Sequence, residues 1–426
     1  MNSLNHIVFV ESNRSGLNAL STAKEEGHHV TFIRSLDNAF LYEGERYRGI
    51  LKQVDRVIQV KNSFSETELK NVLDDLHAVQ PIDALVTVLE YAVIPVAICC
   101  EYFGLPGISK AAAMISRDKY QCNRRLANSG IKTTKCKLIR NNDEAVSSAI
   151  EIGYPVVIKP NYGCASLFVK VAKNKAEVIQ AVRSYHANLS KIHPNIRAVI
   201  AGDLIVEEYL SGKMFSAEVG LSRDEFIVFT IGERKRSVVV EAIELGTTVP
   251  APIDPPTWKA IATYAESVTR ALALDQGLFH IELILTEDGP LLIDFNSRLM
   301  GGILPLLYNL AYKDNIFGYL LDAHLARPFR ARPPKPERFA TSRAFGSTEE
   351  RQTNDTFDLS WMERFKTNDI KLDLIIQPGQ TAPKLRSNHD YLGYLRVLGE
   401  TSSQSAQLAD EVLELLGNTL GIEMAN

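Results

Sequence analysis

The segment Phe279–Asn296 constrains the fold most tightly. Two β-type runs, Phe279–Leu285 and Leu291–Asn296, flank the turn-forming stretch Thr286-Glu287-Asp288-Gly289-Pro290. Folding about Asp288 sets Glu282 opposite Asp294, twelve residues further on. Side chains alternate along a strand, so His280 shares a face with Glu282, and Asn296 shares one with Asp294. Ile281, Leu283, Ile293 and Phe295 are expected on the other, apolar face. Two facing carboxylates repel unless a cation lies between them. Oxygen donors beside an amide suit Mg2+ or Mn2+, completed by water and phosphate oxygens. Arg298 adds a bidentate fork able to hold an acyl phosphate or a carboxylate. A solvated hairpin face with scattered charges has the same spacing, so the hairpin by itself leaves both readings open.

The rest of the chain bounds the context. Its 426 residues suit two to four domains or subdomains. A net charge of −4 argues against a broad nucleic-acid-binding surface. The five cysteines, Cys99, Cys100, Cys122, Cys136 and Cys164, are odd in number and form no CxxC pair. That points to a reducing, cytoplasmic setting without a disulfide framework or zinc knuckle. Met1–Phe9 lacks the basic and apolar regions of a signal peptide. The most apolar stretch, Ala84–Cys100, contains Glu90 and Pro95 and is short for a membrane span; it reads as a buried strand followed by a helix.

Strand-like His6–Val10, Val30–Arg34, Arg56–Val60 and Ala84–Val88 alternate with helix-like Ser15–Gly27 and Glu66–Val79, which predicts a parallel, doubly wound sheet. After the first strand the chain reads Glu11-Ser12-Asn13-Arg14-Ser15-Gly16, without the GxGxxG of a dinucleotide site. Ser116 is expected to cap a helix running to about Asn128, with Gly130 as its stop. Leu204–Leu210, Phe215–Leu221 and Phe226–Gly232 read as successive strands of one antiparallel sheet, and Trp258–Ala273 as an amphipathic helix. Arg327–Arg338, rich in proline and arginine, marks a linker or wrapping segment. The tail, with Leu372–Ile376, Tyr394–Leu398 and helical Ser405–Leu415, reads as a small α+β appendage.

Several residues suit phosphate chemistry. Lys159 closes the strand Pro155–Pro160 ahead of a turn containing Gly163 and Ser166, where a lysine and turn amides can cradle phosphates. A Lys-Pro at a strand end is also ordinary. Lys119, early in a capped helix, equally fits a surface lysine. Glu207-Glu208-Tyr209-Leu210 reads by default as an edge strand with paired acids, though its backbone can meet an adenine edge. Glu218, on the next strand, fits either a ribose contact or a plain exposed glutamate. Cys164 reads as a small loop residue, since no histidine partner can be placed beside it and no GxSxG occurs.

Taken in order, these pieces resemble the ATP-grasp superfamily over nearly the whole chain. The series runs Leu105-Pro106-Gly107, Arg117-Asp118-Lys119, Pro155–Pro160, Glu207–Leu210, Phe215–Glu218, His280-Ile281-Glu282 and Asp294–Gly302. The resemblance implies an α/β and α+β architecture. A Rossmann-like parallel-sheet domain over 1–115 would precede an ATP-grasp domain over 116–330, whose small ATP-clamping lobe spans about 131–208. A C-terminal α+β subdomain over 331–426 would complete it. It also implies roles. Lys119, Lys159, Gly163 and Ser166 would hold the phosphates of ATP, Glu207, Glu208, Tyr209 and Leu210 would form the adenine hinge, and Glu218 would lie near the ribose. Glu282, Asp294 and Asn296 would bind Mg2+ or Mn2+. Arg298 would steady the acyl phosphate, with His280, Gly301 and Gly302 also near the substrate. Two departures stand out: Ala165 and Phe168 replace glycines of the phosphate loop, and Asp294 stands where many relatives carry glutamate.

Within the superfamily, the hairpin and the tail from Pro378-Gly379 to Gly399 look most like L-amino-acid ligases, including dipeptide-forming enzymes of antibiotic biosynthesis. The implied partners are small amino-acid substrates, with neither nucleic acid nor membrane, and a homodimer stays open. Residues selecting the substrates are expected in Glu233–Val249, with Arg236, Glu241 and Glu244 as candidates, and in Gly301–Tyr308. A biotin-carboxylase-like or purine-pathway ligase is the alternative within the superfamily, although no Met-Lys-Met biotinylation site occurs. An ATP-binding regulator without turnover is the alternative outside catalysis.

Overall fold

The computed structural model describes residues 4–42, 45–163, 166–237, 243–366, 369–386 and 390–425. The expected positions Cys164, Ala165 and Glu241 lie outside them.

The first sheet is parallel, in the order Arg56–Val60, His29–Ser35, His6–Val10, Ala84–Val86. Ile7, Val8, Phe9 and Val10 are all buried, as a strand covered on both faces by crossover helices requires. The helix Glu66–Val79 is capped by the Ser65 side chain and buries Leu69, Leu73 and Leu76 at helical spacing. Ligands of open parallel sheets collect beyond the carboxyl ends of the strands. Here that edge carries Val88, Leu89 and Glu90, which face the main cavity.

Ser116 is not a helix cap. Ser109 caps a helix over Lys110–Arg117, and Asp118 then starts a second one over Lys119–Asn128. An extended residue at Asp118, bonding the Gln121 amide, breaks what reads in sequence as one helix. Ser116 instead lies buried within the first helix, 3.0 Å from Ser297 beyond the hairpin.

The second sheet runs Cys136–Ile139, Leu204–Glu208, Val156–Pro160, Lys170–Ala172, all antiparallel. Leu204–Glu208 is therefore an inner strand rather than an edge. It also belongs to a different sheet from Lys213–Ser222, because the chain crosses between lobes at Tyr209–Gly212.

The third sheet has eight strands, in the order Gly289–Asn296, Gly277–Thr286, Lys213–Ser222, Glu225–Arg236, Glu244–Val249, Phe339–Phe345, Gly393–Gly399, Ile370–Leu374. The tail is thus continuous with the central sheet, and not an appendage. Its strands pair through Phe339–Phe345 onto Glu244–Val249. The helix Pro255–Ala271 packs against one face of the hairpin through Ile261, Ala265 and Val268.

Candidate functional site

The hairpin reaches its register by a route the sequence does not reveal. The turn is tighter than expected, with Thr286 paired to Gly289, Leu285 to Pro290 and Leu283 to Leu292. A bulge between Glu282 and Leu283 then shifts the pairing by one, bringing Glu282 opposite Asp294 and His280 opposite Asn296. The extra residue is Ile293. It leaves the apolar face expected for it and lines the cavity with Leu210, Met214 and Ile284. Ile281, Leu283 and Phe295 remain packed behind the sheet. The bulge also aims the Ile293 carbonyl at Lys159, whose ammonium donates to it at 2.8 Å.

A cavity of about 550 Å3 opens between the parallel-sheet domain, the small sheet and the hairpin. Lys119, Lys159, Gly163 and Ser166 line it, as do Glu207, Glu208, Tyr209 and Leu210. So do His280, Glu282, Asp294, Asn296, Arg298, Gly301 and Gly302. Glu218 does not. It is buried one strand behind, both carboxylate oxygens 2.9 Å from His280 Nδ1. The register of Lys213–Ser222 against Gly277–Thr286 sets Glu218 beside His280, which stands between it and Glu282.

The lysines, His280, Glu282 and Asp294 are held in charged pairs. Lys119 Nζ lies 2.7 Å from Asp294 and donates to the Gly163 carbonyl at 2.9 Å. Lys159 Nζ lies 2.6 Å from Glu207, and both side chains are buried. Burial opposes the Lys159 charge, yet the carboxylates of Glu207 and Asp294 hold its pKa above the ordinary value. Burial likewise opposes protonation of His280, but Glu218 and Glu282 at its two nitrogens outweigh this and push its pKa up to about 9. The ring is then an imidazolium donating to both carboxylates, at 3.0 Å for Glu282. Burial would raise the Glu282 pKa, and the His280 charge brings it well below the ordinary value.

Glu90 is the residue that sequence reasoning missed. Its buried carboxylate takes Arg117 on Oε1 and Arg298 on Oε2, each at 2.6 Å. Arg298 completes its fork on the Leu299 carbonyl at 2.7 Å and Asn296 Oδ1 at 3.1 Å. A lone acid inside the apolar run Ala84–Cys100 was the available signal, because such a group stays buried only when paired. On the far wall, Arg234 pairs with Glu244, and Arg236 stands beside them.

Glu282 and Asp294 supply facing carboxylate oxygens with the Asn296 amide alongside, a hard-donor set that fits Mg2+ or Mn2+. No group of three or more His, Cys, Asp or Glu close enough to hold a metal exists among the described residues. Any such site therefore depends on the amide, water or substrate oxygens. In the loop that follows Lys159, Ser166 and Phe168 adopt φ of 54° and 62°. Glycine-like backbone is thus retained without glycine, and the Phe168 ring packs edge-on against Tyr185 at 5.3 Å.

A family model described as the ATP-grasp N-terminal domain matches residues 20–107, and one described as the ATP-grasp domain matches 152–305. Alanine–anticapsin ligase of Bacillus subtilis is 24% identical over 233 residues, covering 52% of this chain and 49% of that protein. The chain spans about half the length of the curated relatives it matches. The crystal structure of an L-amino acid ligase from Bacillus licheniformis superposes with a TM-score of 0.76 at 19% identity, covering 97% of this chain and 98% of that one. The biotin carboxylase domain dimer of Hydrogenobacter thermophilus 2-oxoglutarate carboxylase, a complex with MgADP, ADP and bicarbonate, gives 0.69 at 15% identity, covering 100% and 92%. Among the described residues no helix is long and apolar enough to cross a membrane. Two consecutive family domains, full-length superposition and a cavity at their junction make this chain a member of the ATP-grasp superfamily, with an N-terminal parallel-sheet domain and mixed α/β architecture.

Proposed function

We propose that the chain is an ATP-dependent ligase that joins the carboxylate of one amino acid or amino-acid-like acid to the amine of another. The observation carrying this reading is the convergence of Lys119, Lys159, Arg298 and the facing Glu282 and Asp294 on one cavity. Similarity to alanine–anticapsin ligase and to an L-amino acid ligase supports the amide-forming class.

In this reading adenine lies against Leu210, Met214, Ile284 and Ile293, with the backbone of Glu208–Leu210 as its polar edge. Lys119 and Lys159 face the phosphates, each already oriented by a carboxylate, so little reorganisation is needed when charge moves. Glu282, Asp294 and Asn296 would hold Mg2+, which when bound neutralises phosphate charge. A substrate carboxylate oxygen attacks the γ-phosphorus and ADP departs, leaving an acyl phosphate. Arg298, fixed by Glu90, the Leu299 carbonyl and Asn296, offers its remaining terminal N–H donors to that group and holds the acyl carbon in place. The neutral amine of the second substrate attacks the acyl carbon, phosphate leaves, and the product is an amide with ADP and phosphate. The loop around Gly163 excludes water that would hydrolyse the acyl phosphate.

The test is a screen of paired amino acids with ATP and Mg2+, reading ADP and then product mass. ADP release that requires both substrates, with a product one water lighter than their sum, is expected. Bicarbonate-dependent, amine-independent phosphate release would point to carboxylase chemistry, and ATP binding without ADP under any mixture to a regulator; either outcome rejects the reading. Freeing the loop tests its part. Phe168→Gly relieves the left-handed strain but removes the Tyr185 contact. Ordering backbone costs about 1–2 kcal/mol per residue, so KM for ATP should rise roughly five- to thirtyfold with kcat little changed.

A further inference from the structure

The strand Ile370–Leu374 is the last of the eight-stranded sheet and pairs only with Gly393–Gly399. Leu398 N donates to Asp369 O at 3.0 Å, and Ile375 N donates to Leu392 O at 2.9 Å. Antiparallel bonding alternates residue by residue, so Lys371 and Asp373 bond inward. Ile370, Leu372 and Leu374 turn their backbone N–H and C=O groups outward, and among the described residues no backbone partner meets them. Their side chains flank the C-terminal hydrophobic core and stay only half-buried, while Ile375 beyond them is 55% exposed. An open edge of this kind is a template for another strand.

The opposite face of the same strand carries the charges. Lys371 lies in register with Arg396, a like-charge cross-strand pair that is unfavourable by itself. Among the described residues Asp373 is the acid paired with Lys371, at 4.0 Å, with both side chains more than half exposed. Arg396 Nε is buried and has no hydrogen-bond partner among the described residues. Of Lys371, Asp373 and Arg396 on this face, two are cations and one is a carboxylate.

We infer that two copies of this chain associate through antiparallel pairing of Ile370–Leu374 with its symmetry mate, centred on Leu372. A two-fold axis at Leu372 pairs Ile370 with the mate's Leu374, and Leu372 with its own counterpart, through the free backbone groups. Lys371 then stands opposite the mate's Asp373, and Asp373 opposite the mate's Lys371, in the non-hydrogen-bonded positions where side chains approach most closely. Each Lys371, 4.0 Å from the Asp373 of its own strand, thereby gains a second carboxylate from the mate. The backbone permits shifting the axis by one residue, but centring on Lys371 opposes two lysines and centring on Asp373 opposes two aspartates. Charge thus selects one register, and the interface is isologous and closed.

Sedimentation velocity and light scattering on the full chain across a micromolar concentration series test this. Wild type should show a concentration-dependent monomer–dimer equilibrium. Lys371→Asp and Asp373→Lys each turn both cross-copy pairs repulsive and should weaken the dimer about tenfold or more, about 1.4 kcal/mol or more. The double variant Lys371→Asp/Asp373→Lys restores opposite charges and should dimerise like wild type, which a mere folding defect cannot reproduce. A monomeric wild type, single variants that dimerise normally, or a double variant as weak as the singles would each overturn the inference. Neither residue lies at the cavity, so ADP formation by the variants should match wild type.

Discussion

Glu282→Gln should lower ADP formation about a thousandfold while leaving the fold intact. The substitution keeps shape and volume and removes one negative charge. That charge faces Asp294 across the hairpin and accepts from the His280 imidazolium at 3.0 Å. With a neutral amide there, the oxygen pair that fits a divalent cation loses half its charge, and preorganised electrostatics of this kind are worth about 10²–10³ in rate. His280 remains bonded to Glu218, so the strand register and core packing should persist. Coupled measurement of ADP release with thermal denaturation separates the outcomes. Activity within tenfold of wild type would remove the hairpin from the proposed chemistry. Asp294→Glu is a useful companion, because it lengthens the arm without changing charge.

The second large effect is expected at Glu90. Replacing it by glutamine leaves Arg117 and Arg298 sharing a buried site without a counter-charge. Breaking a buried ion pair from one side costs about 3–5 kcal/mol, and the loss should appear as a lower urea midpoint at neutral pH. Burial would raise the Glu90 pKa, but Arg117, Arg298 and Lys119 outweigh it and hold the pKa below its ordinary 4.5. The sign follows. A carboxyl with a depressed native pKa contributes stability that is fully present above its ordinary value and fades as pH falls through the native one. Wild type should therefore lose this contribution on acidification below about pH 4.5, while Glu90→Gln has none to lose, so the two urea midpoints should converge in acid. Because Arg298 is positioned through Glu90, kcat should fall along with stability. A variant with normal stability and normal kcat would show that the anchor is dispensable.

Much of this was legible in the sequence because it is local. Period-two alternation about Thr286–Pro290 marked the hairpin, and Glu66–Val79 carried its own cap and helical spacing. The ordered series from Arg117 to Gly302 pointed to the family before any contact was known. What escaped was non-local. The Ile293 bulge depends on how a tight turn and a two-sided packing demand are reconciled, and only the paired strands reveal that compromise. Glu207 reads as an edge-strand acid, and Glu218 as a ribose contact or an exposed glutamate, because their partners, Lys159 and His280, lie on other strands.

The division follows from the physics of each level. Sequence alone marked local elements such as the strand His6–Val10, the helix Glu66–Val79 and the two strands of the hairpin, since alternation, capping and turn chemistry act over a few residues. Tertiary structure alone decided that Leu204–Glu208 is an inner strand, that the tail extends the central sheet, and that Glu90 ties Arg298 to the parallel-sheet domain. Those depend on charges and strand edges brought together from distant parts of the chain, where burial makes an unpaired group too costly to leave alone.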